Sequence, residues 1–376
     1  MEEPQKVIDV MNLHITHNLS LGSFSSCRNQ FSQVQSNDLM ITQHEQQQQW
    51  QETIDPLKLV LGKVIGRGSY GVVYKGSYHG QTVAVKVLDF GKGVTTTLKE
   101  CMKNDFREEA SLWQKLDHPN MIGATMSMKT NSCMKTNSGH KNKNKISKTE
   151  SDLCIVSEYV TGGSLRSYLC KNRDKKLPIK VVCQFGLDIA KGLSYLHSKK
   201  IIHLDVKPEN ILIDSQNKKL KLADFGEAVF DPLELFTSGE VGTRGYMAPE
   251  VLSKKPNGFK CDVYSFGICL WEIYCCEMAY TYDLDNIPVE IYKKLRLKES
   301  VVLIVIQEMR PSIPVNCPRS LARLMQSCWD TDSRRRPEMK DVVVELEEIM
   351  KIEGWQALSK DQNNVFGCFG FLSHAR

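Results

Sequence analysis

Apolar residues along the chain recur with two different periods, and the change of period divides it. Residues 1–50 are polar, with a Gln46–Gln49 run and no sustained periodicity, so 1–56 is expected to be a disordered polar extension. Order is predicted to begin near Leu57–Leu61. From there to Glu158 the chain reads as short β-branched runs with one helix at about 99–116. Beyond Gly162 the spacing turns helical, with helices predicted over 164–172, 179–198, 261–277, 318–328 and 338–350. The expectation is a two-lobed α+β domain over 57–351: a small antiparallel sheet lobe over 57–158 with one main helix, and a larger helical lobe over 161–351. Residues 352–376 form a tail. Two stretches interrupt the pattern. Residues 126–151 are rich in Lys, Asn and Ser and repeat Met128-Lys129-Thr130-Asn131-Ser132 as Met134-Lys135-Thr136-Asn137-Ser138, which predicts a solvated basic loop. Residues 280–309 end in the uncharged run Val301–Ile306, an aggregation hazard unless buried.

Charge adds one correction to this picture. The net charge of +5 over 376 residues comes from one segment: six lysines and no acid lie in 126–149, and discounting them leaves −1. A nucleic-acid face is therefore not expected. Thirteen cysteines, with no Cys-x-x-Cys pair, suggest reduced thiols. The start Met1-Glu2-Glu3-Pro4 has neither a secretion signal's basic start and apolar core nor a myristoylation glycine, and Val301–Ile306 is too short to span a bilayer. These features point to a cytoplasmic protein. An apolar tail around Cys368 offers the one route to peripheral membrane contact, through acylation.

The candidate chemistry begins at Gly66-Arg67-Gly68-Ser69-Tyr70-Gly71. A dinucleotide site would place a helix after these glycines. Here Val72-Val73-Tyr74-Lys75 reads as a strand, His79-Gly80 as a turn, and Thr82–Lys86 as a second strand, so the glycines bend a hairpin over a ligand such as phosphate, or simply form a Gly-rich tip. Lys86 lies in an apolar strand and needs an anionic partner, either triphosphate oxygens or Glu109. Glu109 lies beside the apolar side of the helix carrying Phe106, Ala110 and Trp113, whereas Glu108 points further out. Further on, His203-Leu204-Asp205-Val206-Lys207-Pro208-Glu209-Asn210 precedes Asp224-Phe225-Gly226. Asp205 can accept a hydroxyl proton, Lys207 can neutralise a transferring phosphoryl group, and Asn210 and Asp224 offer oxygens to magnesium.

These residues resemble the eukaryotic protein kinase family. The likeness covers about 59–350 and extends to His118-Pro119-Asn120, Gly242-Thr243-Arg244-Gly245-Tyr246-Met247-Ala248-Pro249-Glu250, Asp262–Gly267 and Arg336-Pro337. It implies a bilobal kinase fold, ATP with Mg2+ (or Mn2+) as cofactors, and protein substrates with Ser or Thr acceptors, dual specificity remaining open. It also implies nucleotide contacts from Ile65, Gly66, Arg67, Gly68, Ser69, Tyr70, Gly71, Val72, Val73, Ala84, Lys86, Ser157, Glu158 and Val160, with Ser157 as a small gatekeeper. By the same resemblance Asn210 and Asp224 are expected to hold the metal and Thr243 to join Asp205 and Lys207. Glu250 is expected to pair with Arg336, and Asp262 to anchor the catalytic loop. The text around Ile155–Tyr159, Gly162–Leu165 and Cys261–Glu272 is similar to plant Raf-like kinases of the MAP kinase kinase kinase group. Leu204 departs from the pattern by replacing the Arg that pairs with an activation-segment phosphate, so activity is not expected to depend strongly on phosphorylation between 227 and 243. A kinase-fold scaffold is the competing reading; the presence of Lys86, Asp205 and Asp224 speaks against it.

Overall fold

The computed structural model describes residues 58–68, 71–91, 93–129, 135–136, 153–173, 175–230, 241–253, 255, 258–280 and 310–358. Ser69, Tyr70, Thr237, Ser238, Cys368, the run 301–306, and nearly all of the expected extension, second insertion and tail lie outside them. The chain divides into two compact units. Among the described residues, the first comprises those up to Gln114 with Ala124–Tyr159 and Val241, and the second Lys115–Gly123, Val160–Phe230 and those from Gly242 onward.

The first unit is a sheet with one helix. Strands β1 (Leu59–Gly68), β2 (Gly71–Tyr78), β3 (Gln81–Leu88), β4 (Ala124–Lys129), β5 (Lys135–Thr136) and β6 (Leu153–Glu158) assemble in the order β4-β6-β3-β2-β1-β5. All neighbours are antiparallel except β5, which runs parallel to β1. Period-two alternation puts Val83, Val85 and Val87 of β3 on one face, where they pack with Leu59, Leu61, Cys154 and Val156 beneath Tyr74 and Tyr78. Ala84 and Lys86 take the other face. Helix α1 (Thr96–Gln114) packs against β4 and β6 and buries Met102, Phe106, Ala110 and Trp113, a stripe of helical spacing.

The basic loop expected over 126–151 needs correction. Its first residues lie in β4, and Lys135–Thr136 pairs with Val60–Leu61 of β1. The Lys/Asn/Ser composition masks a short period-two signal, Met126-Ser127-Met128-Lys129, which β6 pairs along its whole length.

The second unit is mainly helical: α2 (Leu165–Lys171), α3 (Ile179–Ser198), α4 (Pro249–Leu252), α5 (Lys260–Cys275), α6 (Arg319–Cys328) and α7 (Met339–Leu358). Helix α3 packs against α5 and α7, and α5 against α6. Helix α5 is buried all round because it runs through the centre of the unit. A Cβ on Gly267 would sit 2.9 Å from that of Cys328, so glycine sets the α5–α6 distance. Two small sheets complete the unit: β7 (Ile201–Ile202) with β10 (Val229–Phe230), and β8 (Ile211–Asp214) with β9 (Lys219–Leu222). Their strands bound the loop 203–210 and deliver Asp224 just past the end of β9. Among the described residues no helix is long and apolar enough to cross a membrane.

Candidate active site

In the first unit, Lys86 Nζ donates to Glu109 Oε1 at 2.7 Å, and both side chains are buried. Helical spacing explains the choice of partner: Glu109 is 5% exposed, whereas Glu108 is exposed. A carboxylate beside the strand offsets the cost of burying the ammonium and directs it. Lys86 pairs in register with Val73 of β2 and Ile155 of β6, and Ala84 with Ser157. Ser157 and Val72 are buried, and Ile65 is exposed at the β1 end together with Arg67. Glu158 ends β6, and Val160 already belongs to the second unit.

The glycines of the turn differ in why they are glycine. A Cβ on Gly71 would lie 2.5 Å from the Val87 carbonyl oxygen, so packing of β2 on β3 demands glycine. Among the described residues, an added Cβ at Gly66 would stand 3.7 Å from Val73 and one at Gly68 4.0 Å from the Gly71 carbonyl oxygen, ordinary contact distances. A phosphate chain approaching backbone amides at this turn would suit glycine there.

In the second unit, the carboxylate of Asp205 is held from three sides. Lys207 Nζ donates to Oδ2 at 2.6 Å, Thr243 Oγ1 donates to Oδ1 at 2.6 Å, and Asn210 Nδ2 donates to Oδ2 at 2.8 Å and to the Asp205 carbonyl at 2.9 Å. Lys207 also donates to Thr243 Oγ1 at 2.6 Å, closing a triangle. With its amide nitrogen spent on Asp205, Asn210 keeps its side-chain oxygen for a cation. The Asn210 carbonyl accepts from Ala223 N at 2.9 Å, which ties the loop to the residue before Asp224. An amide oxygen and a carboxylate suit Mg2+, which keeps several waters and completes its shell with phosphate oxygens.

The loop is shaped by a buried frame. Asp262 on α5 is fully buried and accepts from His203 N and Leu204 N, both at 2.9 Å, while His197 Nε2 lies 2.9 Å from its Oδ2. Burial pushes its carboxyl up, but the His197 contact and the loop amide outweigh this and hold it below its ordinary value. Leu204 takes a left-handed φ of 66°, sparsely populated for a leucine, and the two amide bonds to Asp262 secure it. Across the loop, Gly242 has φ 100°, and a Cβ there would meet the Leu204 carbonyl oxygen at 2.6 Å. Glu250 and Arg336 form a two-pronged pair at 2.6 and 2.8 Å.

Sequence reasoning passed over one cluster. Arg166 of α2 donates to Glu209 at 2.7 Å, to Glu272 at 2.8 Å and to the Tyr246 hydroxyl. Its one sequence signal is an acid, Glu272, in the apolar run Leu270-Trp271-Glu272-Ile273, which implies a buried partner. Burial pushes the Cys154 and Cys275 thiols up to about 12, away from the thiolate that nucleophilic chemistry needs.

Comparison with known proteins agrees with this geometry. The protein kinase domain family model matches residues 59–345. Serine/threonine-protein kinase STY46 of Arabidopsis thaliana is 34% identical over 84% of this chain and 48% of its own length. Serine/threonine/tyrosine-protein kinase HT1 of the same plant is 30% identical over 80% of this chain and 68% of its own. Serine/threonine-protein kinase STY17 is 30% identical over 83% and 48%. The chain thus spans about half the length of two of these relatives. It belongs to the eukaryotic protein kinase family, in the Raf-like branch.

Proposed function

We propose that the chain transfers the γ-phosphate of ATP to serine and threonine hydroxyls of proteins, as a Raf-like kinase of the MAP kinase kinase kinase type acting in the cytoplasm. The observation that carries this reading is the convergence of Lys207, Asn210 and Thr243 on one carboxylate, Asp205, with Ala223, the residue before Asp224, bonded to the Asn210 carbonyl. Backbone amides near Gly66 and Gly68, with Lys86, hold the phosphates, and Glu109 keeps Lys86 aimed. Ala84, Ser157, Glu158 and Val160 take the adenine end. Asn210 and Asp224 hold Mg2+, which supplies charge neutralisation on the phosphates when bound. Asp205 orients the acceptor hydroxyl and takes its proton, and Lys207 faces the negative charge on the transferring group.

The test is phosphate transfer by the purified full chain, with ATP and Mg2+, onto itself and onto a generic basic protein, alongside Asp205→Asn. Loss of the carboxylate is expected to slow transfer by about 10²- to 10⁴-fold. A folded, ATP-binding wild type that transfers nothing would overturn the reading in favour of a scaffold.

A further inference from the structure

Arg166 sits where three separate parts of the second unit meet. Its Nε donates to Glu209, the residue before Asn210, and its Nη2 donates to Glu272 of α5 and to the Tyr246 hydroxyl. The Tyr246 hydroxyl donates in turn to Glu272 at 3.0 Å. Tyr246 N donates to the Thr243 carbonyl at 3.0 Å, so the place of Tyr246 sets the place of Thr243. Thr243 and Asn210 both donate to Asp205. The contacts therefore close a ring: Arg166 to Glu209 and Asn210 to Asp205 on one arm, Arg166 to Tyr246 and Thr243 to Asp205 on the other.

We propose that Arg166 is a positioning residue for phosphoryl transfer: its guanidinium clamps the catalytic loop to the segment bearing Thr243, fixing the geometry of Asp205 without touching it. The proposal rests on the kinase reading above for its rate effect, and on geometry alone for the clamp. Only a planar fork with several donors reaches three acceptors at once; a lysine ammonium could satisfy Glu272 but not hold both arms. The anchor is deep. Glu272 is 1% exposed, Ala279 N donates to it at 2.8 Å, and Ser265 Oγ holds the Tyr246 carbonyl at 2.6 Å. Burial pushes the Glu272 carboxyl up, and Arg166 is the strongest influence opposing that rise. Glu209 is more open, with a 43% exposed side chain, so this arm alone would not hold the loop against water.

The experiment uses the full chain as wild type, Arg166→Lys, and the double variant Arg166→Met/Glu272→Gln, which leaves no stranded buried charge. Two readouts are taken: steady-state kinetics on a basic protein acceptor, and hydrogen exchange of backbone amides. The clamp predicts a kcat fall of about tenfold or more in the double variant, a smaller fall in Arg166→Lys, and a KM for ATP within about twofold of wild type. It also predicts faster exchange confined to 203–210 and 242–247. Unchanged kcat in a folded variant, or exchange raised evenly across the unit, would overturn it in favour of a general packing role. If the double variant fails to fold, Arg166→Lys carries both readouts. If wild type transfers no phosphate, the kinase reading fails, and the exchange pattern still decides the clamp.

Discussion

Thr243 offers the sharpest single perturbation of the site. Thr243→Val keeps the shape and removes one hydroxyl, which now donates to Asp205 Oδ1 and accepts from Lys207 Nζ, each at 2.6 Å. Lys207 keeps its direct bond to Asp205 Oδ2, so the lysine stays near, and Asp205 Oδ1 loses the Thr243 donor. A hydrogen bond to a charged group contributes about 1.5–3 kcal/mol. The side chains of Asp205 and Lys207 are 11% and 19% exposed, so water replaces part of what is lost and the lower half of that range applies. At about 1.4 kcal/mol per tenfold, kcat should fall by roughly 10- to 50-fold. The assay is initial-rate transfer to a protein acceptor at saturating ATP, with Thr243→Ser as control. Serine restores the hydroxyl and should stay within about threefold of wild type. A valine variant as fast as wild type, or a serine variant as slow as valine, would refute the argument that this hydroxyl orients the base.

Two further outcomes follow from the buried frame. Glu250→Ala strands Arg336, whose side chain is fully buried, and should cost about 3–5 kcal/mol in urea unfolding, while Glu250→Met/Arg336→Met recovers most of it; a single-variant cost under about 1 kcal/mol would show the pair behaves like a surface one. Asp262 has a folded pKa below its ordinary value, so its contribution to stability is present above about pH 3.9 and is lost as pH falls through the lower folded value. The stability gap between wild type and Asp262→Asn should therefore narrow as pH falls below about 3.9; a gap that widened there would contradict this.

What was legible in the sequence was what lies close together in it. Asp205, Lys207 and Asn210 fall within six residues, so their chemistry shows in one short string, and helical spacing alone separates Glu109 from Glu108. Contacts across the longest separations were legible only where the family resemblance supplied them, as for Glu250 with Arg336 and Asp262 with the loop. Lys115–Gly123 follows helix α1 directly, yet joins the second unit because Asn120 Nδ2 donates to the Leu220 carbonyl and Ile122 N to the Leu222 carbonyl, about a hundred residues on. The second of these is a backbone bond, which depends on no side-chain pattern. Strand β4 was hidden by lysines and asparagines that set the composition of the stretch following it. Arg166, in Ser164-Leu165-Arg166-Ser167, looks like any charge on a short helix until partners 43, 80 and 106 residues away are in place.

Leu204 shows how a departure from the family pattern can be read physically. An arginine there would couple the catalytic loop to a phosphate on the segment that follows; leucine cannot, and it is 7% exposed. The loop around it needs no charge at that position. Its backbone is fixed by the Asp262 carboxylate at two amides, by the His203 ring, whose Nδ1 accepts from Asp205 N at 3.3 Å, and by close passage of Gly242. Those contacts set Asp205 before any group on 227–243 is modified. Thr237→Ala/Ser238→Ala should therefore retain kcat within about threefold of wild type, measured with the same acceptor protein. A fall of about tenfold or more would mean that a phosphate in that segment reaches the loop by a route other than residue 204.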